Sequence, residues 1–291
     1  MSDLITEPCV IEGMDEAQYH ADPVKGGSLS YSGMKQLLKS PAHYRHYMDQ
    51  PRAEKKVFDA GHIIHALVLG TGLDVAVIPE HMLASNGATS TKAAKDFIAD
   101  ARLDGMVPVK ESELAPLKAV AEAALTHPAA RTLFESDSPA ELSMFAPDPE
   151  TGVWLRGRAD KISELDGETV IVDLKTTTDA DPKEFNRKDV AKFGYYIQAV
   201  VYPRLWQLTH EDTPMPGMLF VAVSKTEPYL VSVNSLDWMY DDLGTKAMRE
   251  AIRRYQDGVL TGDWPGYTEQ VTELTPPSYL VYEDDEEIEI D

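Results

Sequence analysis

Two rhythms of apolar residues divide the chain: helical spacing up to about residue 135, and strand alternation from Glu141 onward. Residues 30–50 begin SYSGMKQLLKSPAHYRHYM, where serine precedes the apolar positions Met34, Leu37 and Leu38 as at a capped helix start, and Pro41 marks a restart. The next segment, FDAGHIIHALVLG, is apolar nearly all round and closes on Gly70, which predicts a buried helix with partly enclosed histidines. Residues 83–107 read as a polar, surface-running connection passing into a short helix, and 111–135 as a further helix. From Glu141 the pattern becomes ELSMFAPD, a turn at PETG, VWLRGRADKISE, a turn at LDGE, and TVIVDLKT. That is a three-stranded antiparallel meander, whose last strand is apolar enough to be buried on both faces. A helical period returns over 189–208, with Pro203 expected to kink or shorten it. The strands MLFVAVSK and YLVSVNS then precede a terminal helix over 236–258, whose charged face includes Arg249, Glu250, Arg253 and Arg254. The order predicts an α/β fold with a mainly helical part over 1–135 and a sheet core over 136–260, and no internal repeat interrupts it.

Composition narrows the class. With 291 residues and 43% hydrophobic content the chain can build a sizeable core. A single cysteine, Cys9, excludes an internal disulfide framework and any four-cysteine zinc or iron–sulfur site built from this chain alone, and suggests a reducing compartment. The N-terminal residues lack the pattern of a signal peptide and no apolar run reaches membrane-spanning length, so a soluble cytoplasmic protein with no membrane association is expected. A formal charge of −22 argues against broad attraction to a polyanion. Seven of the last nine residues are carboxylates, and 271–291 is read as an acidic, disordered tail that keeps the chain solvated. Basic residues gather instead in KQLLKSPAHYRHYMDQPRAEKK, from Lys35 to Lys56, and in KEFNRKDVAK, from Lys183 to Lys192. Such clusters on an acidic body suit a narrow nucleic-acid path; as isolated features they read equally as solvated helix faces.

The chemistry concentrates in residues 157–175, GRADKISELDGETVIVDLK. Asp160 ends one strand's GRAD sequence, and the period of two places Asp173 and Lys175 on one face of the next strand. Two carboxylates and an ammonium on adjacent strands can hold a hard cation such as Mg²⁺, polarise a phosphoryl oxygen and activate a water. The plain alternative is an Asp–Lys surface ion pair, worth little. The VIV run ahead of Asp173 weighs against it, because an unpaired carboxylate in a buried strand is costly and a bound cation would resolve the cost. Ser30, Ser32 and Lys35 offer hydroxyls and an ammonium at a helix start where a phosphate could bind, although N-capping explains the serines equally well. Strand alternation puts Arg156 and Arg158 on the side of Asp160, in reach of a phosphate.

The ordered set GHIIH, GRAD, DLK and Q-x-x-x-Y (Gln198 to Tyr202) resembles the PD-(D/E)XK nuclease superfamily, in its RecB-like and RecE-like branch. SYS at Ser30 to Ser32 followed by SPAHY resembles the N-terminal portion of phage and prophage exodeoxyribonuclease VIII proteins. Together these matches span most of residues 28–260, and motifs that are weak singly gain force from their order and context. The resemblance implies a restriction-endonuclease-like core, with a central mixed sheet flanked by helices, forming a single nuclease domain over 1–270. It further implies that His65 ligates metal beside Asp160 and Asp173, with His62 as the nearer rival and a core histidine as the structural alternative. Glu141 takes the place of an acidic residue assisting a second metal, while Gln198 and Tyr202, neighbours on one helix face, orient substrate or the catalytic Lys175. The implied activity is hydrolysis of linear double-stranded DNA with one or two Mg²⁺ ions, Mn²⁺ being the substitute and no iron–sulfur cluster being involved. By the same resemblance it proceeds from 5′ ends, in a ring-like homo-oligomer, and leaves a single strand for an annealing partner in recombination. The rival readings are another nuclease of the superfamily, Cas4-like or restriction-like, and a catalytically silent DNA-binding scaffold.

Overall fold

The computed structural model describes residues 4–50, 60–71, 75–210 and 212–277. Before the meander lie β1 (Cys9–Ile11), α1 (Glu16–His20), β2 (Leu29–Ser30), α2 (Tyr31–Lys39), α3 (Pro41–Asp49), α4 (Ala60–Leu69), β3 (Val75–Ile78), α5 (Lys92–Leu103), β4 (Val107–Lys110), α6 (Glu111–Thr126) and α7 (Pro128–Phe134). The meander is β5 (Ala140–Pro147), β6 (Trp154–Leu165) and β7 (Glu168–Thr177). After it come α8 (Pro182–Glu184), a π-helical turn (Phe185–Val190), α9 (Ala191–Phe193), α10 (Tyr195–Thr209), β8 (Gly217–Ser224), β9 (Val231–Ser235) and α11 (Trp238–Thr261).

The main sheet runs β1-β5-β6-β7-β8-β9, with β2 pairing β6 in parallel. The meander is antiparallel, β8 joins β7 in parallel, and β9 closes the edge antiparallel, so the sheet is mixed as expected. Alternation along β8 feeds two cores. Met218, Phe220 and Ala222 pack with α2, α10 and α11, whereas Val221 and Val223 pack with α4, α6 and α7. Burial on both faces explains the unbroken apolar reading of β7 and β8.

Several boundaries differ from the periodicity. The segment read as one helix over 111–135 is two, because Pro128 starts a new helix capped by the His127 side chain. The helix expected from 189 begins only at Tyr195, after the π-helical turn and left-handed Gly194 (φ +69°). Pro203 does not end that helix, which continues to Thr209; its ring is buried in the core and only one backbone donor is missing. The connection over 83–107 ends in β4, which pairs in parallel with β3 as a small second sheet. Ser30 caps α2 as read, accepting Gly33 N–H, whereas Ser32 lies inside that helix; Ser40 supplies a further cap, accepting His43 N–H ahead of α3. Lys56, the end of the first basic cluster, and most of the acidic tail, from residue 278, lie outside the described residues. Among the described residues no helix is long and apolar enough to cross a membrane.

Candidate active site

β6 and β7 pair from their turn as far as Lys161 and Val172, and then part. Beyond this fork β7 continues beside β8, and β6 continues beside β5 and β2. Asp160 and Asp173 are the first residues past the last pair, one on each arm. Asp160 Oδ2 accepts the N–H of Leu174 at 2.7 Å, satisfying a donor at the point where the β6–β7 ladder ends. The fork opens into a cleft of about 340 Å³, lined by His65, Asp160, Asp173, Lys175 and Gln198 together with Tyr31, Ser32, Arg158, Leu174, Thr176, Tyr195 and Tyr202.

Asp173 and Lys175 share the face of β7 that carries Ile171 into the α10 side of the sheet, so both meet α10. Lys175 Nζ stands 2.5 Å from Asp173 Oδ2 and donates to Gln198 Oε1 at 3.0 Å. Gln198, itself buried, donates through Nε2 to Asp173 Oδ1. One amide therefore fixes the carboxylate and the ammonium together. The Lys175 ammonium also lies 4.4 Å from the centre of the Tyr195 ring, a favourable place for a cation. Asp173 Oδ2, although close to that ammonium, is buried without a hydrogen bond of proper geometry. From the other helical layer, α4 buries Ile63 and Ile64 and turns His65 toward the cleft, with Nδ1 3.5 Å from Asp160 Oδ2. Burial pushes the Asp160 carboxyl up to about 6 and the neighbouring Asp173 charge adds to this, while His65, Lys175 and the Leu174 N–H oppose it. Among the described residues no three His, Cys, Asp or Glu side chains are already drawn together as metal ligands, since Asp173 is engaged by Lys175 and Gln198.

Other expected residues have different surroundings. Ser32 and Arg158 border the cleft, and Ser30 is occupied as the cap of α2. Lys35 is half-buried, its ammonium 4.6 Å from the centre of the Tyr31 ring, and burial and the nearby Lys175 charge lower its proton affinity. Tyr202 is buried with its ring against Gly157, where an added Cβ would come within 2.8 Å of it. It supports the strand behind the site, and burial raises its hydroxyl well above the usual tyrosine range. Glu141 stands opposite Asp160 in the β5–β6 register, but its backbone is left-handed (φ +53°), no pairing is made there, and it does not line the cleft.

Arg156 requires a correction. It is 3% exposed, pairs with Asp22, and donates to Ser28 O at 2.9 Å and Ser28 Oγ at 2.7 Å, so it ties the start of β2 to β6 and does not line the cleft. Alternation does put it on the face of Arg158 and Asp160, but farther from the fork Asp22 and Ser28 take its guanidinium; Ala159 and Ile162, three residues apart, then enter the same core. The strand shifts its facing by one residue across Asp160. Sequence reasoning also passed over Tyr195 and Tyr31, although Tyr195 lies three residues before Gln198 and hence on the same helix face.

The comparisons with known proteins follow the same lines. The crystal structure of a "Putative exonuclease" from Eubacterium rectale superposes with a TM-score of 0.58 at 13% identity, covering 93% of this chain and 98% of that one, which is a likeness of fold. A solved structure of SSO0001, 10% identical over 80% of this chain and 85% of that one, has a TM-score of 0.29, too low to speak for a shared fold. No curated protein sequence matches. Residues 30–275 match the model of a PDDEXK-like domain of unknown function, DUF3799, a span that holds the whole fork and the helices around it, and the chain belongs to that PDDEXK-like family.

Proposed function

We propose that the protein is a divalent-metal-dependent exodeoxyribonuclease that hydrolyses linear duplex DNA. The observation that carries this reading is the β6–β7 fork, which brings Asp160, Asp173, Lys175 and His65 into one cleft. The similarity in fold to a protein described as an exonuclease supports it. Release from 5′ ends, a ring-like homo-oligomer and supply of single strands to an annealing partner belong to the same proposal through the exodeoxyribonuclease VIII resemblance.

The donor set fits a hard cation. Asp160 and Asp173 are largely buried carboxylates side by side, Asp173 Oδ2 meets only the Lys175 ammonium among the described residues, and burial together with the Asp173 charge leaves Asp160 short of positive charge. Nucleases of this superfamily generally use divalent metals. Here Asp160, Asp173 and His65 would hold the ion, which supplies Lewis-acid polarisation of a phosphoryl oxygen and a more acidic water. Lys175 then directs its ammonium protons at the attacking water and at the charge that develops on phosphorus oxygens. Gln198 keeps Lys175 and Asp173 in a fixed relation, so little reorganisation accompanies the reaction. Ser32 and Lys35 are placed to receive flanking phosphates, and Arg158 borders the cleft with Nε and Nη2 given to Ser143 Oγ and Met14 O, which leaves Nη1 for such a contact.

End-labelled linear duplex and covalently closed circles, incubated with Mg²⁺ or with EDTA, test this. Linear DNA is lost only with Mg²⁺, circles persist, and 5′ label leaves first. Lys175→Ala lowers the rate about 10²–10³-fold, the usual loss for one electrostatic donor at a reacting centre. Equal cleavage by Lys175→Ala would overturn the mechanism, nicked circles would point to an endonuclease, and no cleavage of either substrate would leave a scaffold.

A further inference from the structure

Phe193 ends α9 with 39% of its surface exposed, one residue before left-handed Gly194. A single exposed phenylalanine is ordinary on a protein surface. This one lies just outside the cleft, against Tyr195 and Tyr31 of its wall. Its backbone is pinned, because the hydroxyl of the buried Tyr31 donates to Phe193 O and the left-handed Gly194 fixes the reversal into α10. Its ring prolongs an aromatic line that starts at the reacting centre: Lys175 Nζ lies 4.4 Å from the centre of Tyr195, whose ring is 5.7 Å from that of Phe193 with the planes 30° apart. Cations bracket it. Lys192 Nζ is 5.4 Å from the centre of the Phe193 ring, and the stem of Lys35 passes beside Gly194. Neither lysine has a carboxylate partner among the described residues, in a chain with 49 acidic and 27 basic side chains.

A rigid exposed ring, flanking lysines and an adjoining phosphodiester-cleaving cleft together form a platform for single-stranded nucleic acid. Every base has a π-face, so stacking there is indifferent to sequence, and the lysines track the backbone. We infer that Phe193 stacks on an unpaired base flanking the scissile phosphate, with neighbouring phosphates passing between Lys35 and Lys192. The enzyme then grips the strand it cuts as a frayed single strand at the duplex end. This rests on the exodeoxyribonuclease reading and names the form of DNA the site accepts.

The test is the rate of cleavage with Mg²⁺ on end-labelled duplexes with short single-stranded ends, in which an abasic nucleotide is moved through the first few positions. Phe193→Ala lowers kcat/KM by about 5- to 150-fold, the range found for loss of one base–aromatic stack. Phe193→Trp restores it. An abasic nucleotide at one position costs the wild type the same factor and costs Phe193→Ala nothing more. Unchanged cleavage by Phe193→Ala, as expected if the ring docks a protein instead, would overturn the inference while leaving the nuclease intact. So would losses from the variant and the abasic site that simply multiply at every position. A wild-type protein that cuts no DNA removes both readings.

Discussion

Asp160 is caught between opposing demands. It accepts a backbone N–H from Leu174 and faces His65, which favour the ionised form, yet burial and Asp173 raise its carboxyl to about 6. The folded protein therefore holds a proton on Asp160 over a pH range in which the unfolded chain, with an ordinary carboxylate near 3.9, has already lost it. The resulting stability is fully present below the ordinary carboxylate value and is lost as pH rises through about 6. A cation held at Asp160, as proposed, would replace the proton, so its effect should have the opposite dependence. In thermal unfolding, Mg²⁺ should raise Tm little near pH 5 and progressively more as the pH passes about 6, and Asp160→Asn should abolish that growth. A Mg²⁺ effect equal at about pH 5 and about pH 8 would exclude Asp160 as a ligand. Gln198 meets a different demand, being buried with its amide spent on Asp173 and Lys175. Such a side chain serves through what it orients, since its partners would otherwise be left unsatisfied.

At the scale of elements the site depends on an irregular strand. β6 pairs with β5 and β2 over its first half and with β7 over its second, and it changes facing across Asp160, opposite the left-handed Glu141. A regular hairpin would carry its ladder through this point and leave no cleft. Such local breaks re-aim side chains next to active sites. Behind the fork α10 sits directly on β6, with the Tyr202 ring and Leu205 against Gly157, where a Cβ would lie 2.8 Å and 2.9 Å from their nearest atoms. Gly157→Ala should therefore destabilise the fold by about 1–3 kcal/mol, the usual cost of overpacking a core, and displace Gln198 along with α10. Urea unfolding reads the first effect and residual nuclease rate the second; an unchanged midpoint would mean that α10 stands off β6 more loosely than described. The ends of the helices are tied by charge. Asp148, fully buried at the end of the β5 segment, receives Arg249 of α11 at 2.9 Å and Arg204 of α10 at 3.3 Å, and Arg254 caps the Leu37 and Leu38 carbonyls of α2.

Taken as a whole the molecule is acidic, and many of its exposed cations are spent within their own helices. Arg45 pairs with Asp49, Arg187 and Lys188 with Glu184, and Arg253 with Glu250 and Asp257. Among the described residues Arg45 of the first basic cluster and Arg187 and Lys188 of the second are thus neutralised locally, and the cations near the fork without a carboxylate partner include Arg158, Lys35 and Lys192. Binding to duplex ends should accordingly depend on salt with a log–log slope of only about −3, rather than the steep slope of a protein that wraps DNA. Lys35→Ala should flatten this slope by about one, as for any single lost phosphate contact. Fluorescence anisotropy across a salt series measures both, and an unchanged slope in Lys35→Ala would take Lys35 off the DNA path. The small net demand for cations also explains how so acidic a chain could handle a polyanion at one place while repelling it elsewhere.

Much was legible in the sequence because it was local. Alternation gave the meander and the placing of Asp173 and Lys175 on one face, and a serine ahead of an apolar run gave the Ser30 cap. The order of short motifs gave the PDDEXK-like fold, which the family match and the α/β/α layering agree with. What could not be read was wherever one element acts on another. Parity placed Arg156 on the cleft side beside Arg158, but the waiting Asp22 and Ser28 turned it into an internal tie. Helical period started α10 too early, whereas Tyr31 and Gly194 hold the reversal that exposes Phe193. The chain itself determined which chemical groups are available and on which faces, since those follow from composition and the period of each element. Only the packed structure decided which groups meet, because the parting of two strands and the close approach of a helix depend on contacts between residues far apart along the chain.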